Sequence, residues 1–303
     1  MIPKQVQDFL NTLAGRSLKT KSNYTSFATV FWDYLSNAGS VKPLKDITIQ
    51  DILKFLTWGT ENKKWKLSTM RQYAKLTVRF MSEFKDEAFM KDLRKQFRML
   101  PKVQAASSLL EGIYIPPDKL DSRGNIVESK INEFIATAPG PDYEAVYTMI
   151  LKWGLRLNEA LTQDLEDIKT DTLRVIVRGK GQGFEGKVRM VLIGQDSLDR
   201  VLKDVGSKKK GRIVSLSPRS VEYEWKRSAK KIGLSFWKRL TPHDGRHSYA
   251  IDFLKKRKKE GMMALTLLKT QLGHSDIKTT FVYLDIAGVE TQEIFESGNH
   301  SYR

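Results

Sequence analysis

The chain has 303 residues, 40% of them apolar, which is enough to bury the cores of two ordinary domains. Lysine and arginine number 52 against 35 aspartate and glutamate, and the resulting net charge of +17 favours a polyanionic partner, nucleic acid first. The absence of cysteine excludes disulfides, thiolate metal sites and cysteine nucleophiles. Because we find neither a signal peptide nor a run of about 18 apolar residues, we expect a soluble, cytoplasmic protein without membrane contact.

Residues 1–105 are predicted to form a helical domain, because apolar residues recur there at spacings of three and four. Helices are predicted near residues 6–13, 21–35, 48–56, 68–84 and 88–100. The third begins at Thr48, where Asp51 three residues later gives a variant of the capping-box pattern.

A linker is predicted over residues 106–127. The chain after Pro101 contains Ala-Ala-Ser-Ser, Pro116-Pro117 and Arg123-Gly124, a shift toward residues of turns and extended segments. We therefore place the domain boundary here and assign residues 128–303, including a C-terminal tail, to a second domain.

The second domain is predicted to be mostly helical with a small β-sheet. Two strand-like runs, 173–178 and 187–193, are joined by the glycine-rich segment 179–183 and together indicate a β-hairpin. Helices are predicted near residues 129–138, 143–153, 217–232, 243–258, 264–272 and 277–284. The expected fold class is thus mainly α, with α+β character from the hairpin.

Four short segments of this domain contain residue types suited to chemistry. They are Gly154-Leu-Arg-Leu-Asn-Glu-Ala160, Arg178-Gly-Lys-Gly181, Thr241-Pro-His-Asp-Gly-Arg-His-Ser-Tyr-Ala250 and Leu272-Gly-His-Ser-Asp-Ile-Lys-Thr-Thr-Phe-Val-Tyr283. Taken singly, each has an ordinary explanation as a surface arginine, a turn lysine or a packed histidine. Their order and spacing along one domain are what make them informative.

The ordered set of an arginine, a hairpin lysine, H-x-x-R-H, L-G-H and a tyrosine nine residues after that last histidine resembles the tyrosine recombinase (phage integrase) family, with its Xer-like site-specific recombinases. The resemblance covers about residues 128–285, and the helical N-terminal region is similar to the family's core-binding domain. It implies a site-specific recombinase or integrase that cleaves and rejoins DNA through a covalent 3′-phosphotyrosyl bond and leaves a free 5′-hydroxyl.

The resemblance also implies partners and cofactors. Double-stranded DNA is the expected partner, a homo-tetramer is expected in the synaptic complex, and no metal, ATP or other cofactor is expected. The tail after Tyr283 is a candidate for docking onto a neighbouring subunit. Phage-type integration by a mobile element, plasmid resolution and chromosome-dimer resolution all stay open.

The resemblance gives roles to six residues of the site. Arg156 and Arg246 hold the phosphate, since guanidinium groups suit the charge and geometry of a phosphorane-like state. Tyr283 is the nucleophile and His243 the candidate base that activates it. Lys180 is expected to protonate the departing sugar oxygen.

His274 completes this set as a hydrogen-bond donor to the scissile phosphate, and Glu159 is expected to orient Arg156 or another group of the site without touching the substrate. Two assignments stay open. Lys187 replaces Lys180 if the register of the hairpin differs, and His247 is as consistent with packing as with a site contact and is left out of the catalytic set.

Two other functions are considered. A type IB topoisomerase shares this chemistry, but the segment from L-G-H to the tyrosine and the two-domain layout favour a recombinase. A catalytically silent, architectural DNA-binding protein has no chemical need for the complete set of site residues.

Overall fold

A computed structural model describes residues 3–37, 43–101, 112–179, 188–203 and 210–288, apart from the side chains of Lys19 and Asp285. The chain divides into two units, Met1–Ala105 and Ala106–Arg303. No helix in these described ranges is long and apolar enough to cross a membrane.

The first unit is helical and packs around aromatic side chains. Its helices are α1 (Lys4–Thr12), α2 (Leu18–Asn37), α3 (Ile49–Asn62), α4 (Leu67–Met81) and α5 (Glu87–Met99). Phe31 and Phe55 are buried at its centre and meet edge to face with ring centroids 4.8 Å apart. At the start of α3, the backbone N–H of Asp51 donates to Thr48 and the Asp51 carboxylate accepts from the backbone N–H of Thr48, the capping box that the sequence predicts.

The second unit combines helices with two small sheets. Its elements are β1 (Lys119–Leu120), β2 (Ile126–Glu128), α6 (Lys130–Ala136), α7 (Pro141–Leu151), α8 (Leu157–Leu161), β3 (Ile168–Lys169), β4 (Arg174–Arg178), β5 (Val188–Leu192), α9 (Gln195–Leu202), α10 (Pro218–Lys231), α11 (Pro242–Lys256), α12 (Met262–Leu272) and α13 (Lys278–Ala287). Helix α7 is buried over residues 145–151 because it packs against α6, α8, α9 and α11. The predicted fold class, mainly α with a small sheet, is confirmed.

The larger sheet is antiparallel in the order β3-β4-β5. Val177 pairs with Arg189 across β4 and β5, and Val175 pairs with Val191. Both described arms of the predicted hairpin are therefore present, and its turn, residues 180–187, lies outside the described residues. The side-chain amide of Gln271 in α12 donates to the carbonyl of Leu192 and accepts from its N–H, at 3.2 and 2.9 Å, which fixes α12 to the edge of β5.

Part of the predicted linker is packed into the second unit. Ile113 and Ile115 are buried in its core, and the Asp118 carboxylate, which is fully buried, lies 2.6 Å from the ammonium group of Lys256. Burial of the apolar side chains stabilises this packing, and the ion pair with Lys256 offsets the cost of removing the Asp118 carboxylate from water. Residues 102–111 lie outside the described part of the chain.

Gly154 lies between α7 and α8 in the left-handed region, with φ +68°. A Cβ atom there would lie 2.5 Å from the ring of Tyr249 and 3.2 Å from Leu272. The second unit therefore requires glycine at this position, both for the backbone conformation and for space.

We expect Gly154→Ala to lower the free energy of unfolding by about 2 to 5 kcal/mol, since a left-handed alanine costs roughly 1 to 2 kcal/mol and overpacking roughly 1 to 3. Gly233→Ala is the matched control, because Gly233 also has a positive φ, +75°, but has no atom within 4 Å of its Cβ position. Urea unfolding of both variants measures the difference. If the two variants lost the same free energy of unfolding, the close approach of the new Cβ atom to Tyr249 would add no cost.

Candidate active site

Helix α11 begins with a capping box that fixes the first turn of the site. The Asp244 carboxylate accepts from the backbone N–H of Thr241 at 2.7 Å, and the Thr241 hydroxyl accepts from the backbone N–H of Asp244. The turn that follows places His243, Arg246 and His247 on one face, because they stand at i, i+3 and i+4. The rings of His243 and His247 meet edge to face with centroids 4.5 Å apart.

Arg246 is a buried cation, only 1% exposed. Its guanidinium donates to the backbone carbonyls of Gly154, at 2.7 Å, and Leu272. These carbonyls belong to the segments before α8 and at the end of α12, so Arg246 joins three parts of the unit. Burial lowers the pKa of Arg246 and the charge of Arg156 lowers it further, while the Glu159 carboxylate, 3.7 Å away, opposes them.

Glu159 is the buried carboxylate that holds the arginines together. It accepts from the backbone N–H and the guanidinium of Arg156 at 2.8 and 2.9 Å, and both of its oxygens accept from the guanidinium of Arg189 at 2.9 and 2.8 Å. Burial alone would raise the pKa of Glu159, but the bonds and charge of Arg189, followed by the bonds from Arg156, outweigh it and hold the pKa at about 2. Glu159 is therefore ionised at neutral pH.

Arg189 is a site residue that the sequence interpretation does not assign. It lies on β5, its guanidinium also donates to the carbonyl of Gln271 at 2.9 Å, and its side chain is 10% exposed. The available signal is the strand pattern, since Arg189 pairs with Val177 and stands two residues before Val191, both buried. A cation on the buried face of a strand needs a carboxylate partner.

Tyr283 lies on α13 and is 3% exposed. Its hydroxyl is 2.8 Å from Nδ1 of His247. Burial raises the pKa of Tyr283 to about 12, although Arg246 and Arg156 act to lower it. Burial lowers the pKa of His247 to about 4, and His243 lowers it further. Both groups are thus neutral at pH 7, and the phenol keeps its proton.

His274 follows the end of α12, where Gly273 adopts the left-handed conformation, φ +65°, that commonly terminates a helix. Nδ1 of His274 is 3.0 Å from the hydroxyl of Thr280, and its ring is nearly parallel to that of Tyr283, with centroids 6.4 Å apart. Burial lowers the pKa of His274 to about 4, with Arg246 and Arg156 adding to the effect. His274 is therefore also neutral at pH 7.

A cavity of about 530 Å³ opens beside these groups. It is lined by Arg156, Gly179, Val188, Arg189, Gly273, His274 and Ser275. Arg156 is exposed here, unlike Arg246, so one guanidinium is accessible while the other is held below the surface. Cations and neutral imidazoles around a cavity suit an anionic group such as a phosphate. Among the described residues, no three histidine, aspartate or glutamate side chains converge as metal ligands would.

The structure brings together most of the residues that the sequence singles out. Ion pairs, ring contacts, a hydrogen bond and the electrostatic effect of Arg246 on His243 connect seven of them: Arg156, Glu159, Arg246, His243, His247, Tyr283 and His274. His243 is exposed at the surface, and partial desolvation of its ring by the surrounding protein, followed by the charge of Arg246, lowers its pKa. Lys180 and Lys187 both lie outside the described residues.

Known proteins are similar in sequence to this chain over most of its length. The chain is 23% identical over 290 residues to tyrosine recombinase XerA of Pyrococcus horikoshii, covering 84% of this chain and 96% of that protein. It is 28% identical over 313 residues to tyrosine recombinase XerC of Actinobacillus succinogenes, covering 96% and 95%.

A solved structure shows the same fold. The XerH site-specific recombinase bound to a palindromic difH substrate, in a post-cleavage complex, matches with a TM-score of 0.64 and 17% identity, covering 97% of this chain and 83% of that one. The sequence profile of the phage integrase family matches residues 126–288, more than half of the chain. The chain therefore belongs to the phage integrase family, the tyrosine recombinases.

Proposed function

We propose that this protein is a site-specific DNA recombinase that cleaves and rejoins DNA through a covalent bond between Tyr283 and a 3′-phosphate. One observation carries the proposal. The hydroxyl of Tyr283 is hydrogen-bonded to His247, the residue next to the buried Arg246, in a cluster that also contains Arg156 and His274. A phenol in such surroundings is suited to attack a phosphodiester, because the cluster supplies the charge and the hydrogen bonds that the reaction requires.

The arginines would stabilise the transition state. When the phenol oxygen adds to phosphorus, negative charge accumulates on the two non-bridging oxygens. Arg246 is fixed by backbone carbonyls and Arg156 by Glu159, so neither side chain needs to reorganise as that charge develops. His274 would donate a hydrogen bond to the same phosphate, with its orientation held by Thr280.

Two proton transfers complete the strand cleavage. Tyr283 loses its proton as the bond to phosphorus forms, and the 5′-oxygen of the leaving strand gains one as its bond to phosphorus breaks. We assign the second transfer to Lys180 on the hairpin turn. The product is a phosphodiester to tyrosine in place of one to sugar, so the bond energy is kept for rejoining.

The partners follow from the same chemistry. Double-stranded DNA is the substrate, and the net charge of +17 suits its backbone. We assign binding of the DNA core site to residues 1–105 and catalysis to residues 128–303. We also propose that the protein acts inside the cell and forms a homo-tetramer on two duplexes. The two relatives reported above are named tyrosine recombinases, and the match covers nearly their full length. Neither a topoisomerase nor a catalytically silent DNA-binding protein gains support from them.

Tyr283→Phe is expected to abolish covalent attachment to DNA, because the ring is kept and only the nucleophilic oxygen is lost. A duplex selected for tight binding, with a nick that lets the cleaved 5′-hydroxyl fragment diffuse away, traps the adduct for detection on a denaturing gel. The wild type should form the adduct in EDTA. Equal binding of the duplex by both proteins is the control, and an adduct in the variant would contradict the proposed nucleophile.

Lys180→Ala is expected to lower the cleavage rate by about 100-fold or more, the usual effect of removing a general acid. A substrate with sulfur in place of the 5′-leaving oxygen should restore the rate, since a thiolate, whose conjugate acid has a pKa near 8.5, departs without protonation. Lys187→Ala is the matched control and should cleave both substrates at the wild-type rate. The reverse pattern would assign the acid to Lys187.

Deletion of residues 290–303 is expected to weaken assembly on two duplexes while one protein molecule still binds one half-site. The reason is that this tail follows the catalytic helix α13 and is our candidate for docking onto a neighbouring subunit. Light scattering and gel-shift titration measure the two properties separately. A tetramer of wild-type stability would exclude the tail from the subunit contact.

A further inference from the structure

His247 is a second histidine of the α11 turn whose function the family comparison leaves unassigned. Its Nδ1 lies 2.8 Å from the hydroxyl of Tyr283, within hydrogen-bonding distance of the atom that would attack DNA. His243, the base that the family resemblance suggests, is exposed at the surface, and its ring centroid lies 4.5 Å from that of His247. The two histidines therefore occupy different positions relative to the nucleophile.

We propose that His247 is the catalytic base that takes the proton of Tyr283 during strand cleavage and returns it during rejoining. This inference rests on the proposed function. The hydrogen bond already joins the donor atom to the acceptor atom, which is the first requirement for such a transfer. His243 is then free to contact the bound DNA.

The phenol oxygen of Tyr283 forms a bond to phosphorus while its proton moves to Nδ1 of His247, giving an imidazolium. The bond from phosphorus to the 5′-oxygen breaks, and that oxygen takes a proton from the general acid. In rejoining, the 5′-hydroxyl attacks phosphorus and gives its proton back to the deprotonated general acid. The bond from phosphorus to the phenol oxygen breaks, and the imidazolium returns its proton to that oxygen.

The surroundings of His247 suit a base in the resting enzyme. The charged and titratable groups around it are His243, Asp244, Arg246, His274 and Tyr283. Burial and the neighbouring cation keep the ring neutral at pH 7, so the tautomer protonated on Nε2 presents its Nδ1 lone pair to the phenol. A bound phosphodiester adds a negative charge to this cluster, which raises the pKa of the ring and stabilises the imidazolium.

The contact also explains why Tyr283 is oriented before DNA binds. The side chain is buried and its ring is 5.6 Å from that of His247 between centroids, with the polar end directed at α11. An orienting contact of this kind needs only a hydrogen-bond acceptor, whereas a catalytic base must also take the proton. A test must therefore separate accepting a hydrogen bond from accepting a proton.

His247→Asn makes this separation, because the Asn side-chain oxygen occupies nearly the position of Nδ1 and accepts a hydrogen bond but is not basic. We expect the single-turnover cleavage rate to fall by about 100-fold or more, with DNA affinity unchanged. A rate within about tenfold of the wild type would overturn the proposal and leave His247 an orienting role. Should the Asn variant fail to fold, His247→Ala is assayed with added imidazoles of increasing pKa. Restored cleavage whose rate rises with the pKa of the added imidazole supports the proposal, and no restoration or a rate independent of that pKa overturns it.

The substrate with a 5′-bridging sulfur adds a second readout. The defect of His247→Asn should persist on it, because the leaving group no longer needs a proton but the nucleophile still has to lose one. Restored cleavage would place His247 at the leaving oxygen and overturn the assignment.

Ser248→Ala is the matched control on the same helix. Its hydroxyl bonds to the N–H of Ile115 and the carbonyl of Asp244, away from the phenol, so we expect lower thermal stability with the cleavage rate kept. Loss of the adduct in Tyr283→Phe tests the proposed function independently. A nucleophile confirmed there, with a fast His247→Asn enzyme, would reject this inference alone.

Discussion

The site depends on burying positive charge before any substrate binds. Arg246 is held inside the second unit by two backbone carbonyls and lies 3.7 Å from the Glu159 carboxylate. Removing ions from water costs several kcal/mol for each of them, and only excellent pairing geometry offsets that cost. Glu159 provides the pairing by binding Arg189 through both oxygens, and the three cationic side chains gather around this one anion.

Burial, together with this concentration of cations, determines the protonation of the other groups. Burial raises the pKa of Tyr283 and Arg246 and Arg156 oppose it, whereas burial and then the same arginines lower the pKa of His274 and keep it neutral. The histidines are therefore neutral donors and acceptors in the free protein, and in the proposed mechanism His247 gains a positive charge only when a phosphate is bound. In that mechanism, electrostatic preorganisation and proton transfer share one set of residues.

The sequence predicts the local structure well where short-range signals operate. The capping box at Thr48 is read from neighbouring residues, and helical spacing puts His243, Arg246 and His247 on one face. The proposed site residues were found through motif order, since each motif is weak by itself.

Contacts between distant segments could not be predicted in this way. Arg189 reaches Glu159 across 30 positions of the chain, and Ile115 is hydrogen-bonded to Ser248 across 133. Neither pairing has a periodic signature, because it depends on how strands and helices meet in space. The short helix α8 and the helix α9 are not predicted for a related reason, since a few residues give too little periodicity to identify a helix.

The enclosure of Tyr283 has a further consequence for DNA integrity. A phosphotyrosyl ester exposed to bulk water would hydrolyse with time and leave a permanent nick, whereas a tyrosine residue that is 3% exposed leaves little space for an attacking water molecule. Fidelity in strand exchange is then a matter of which hydroxyl can reach the ester, and a DNA end aligned by base pairing has the advantage over the solvent.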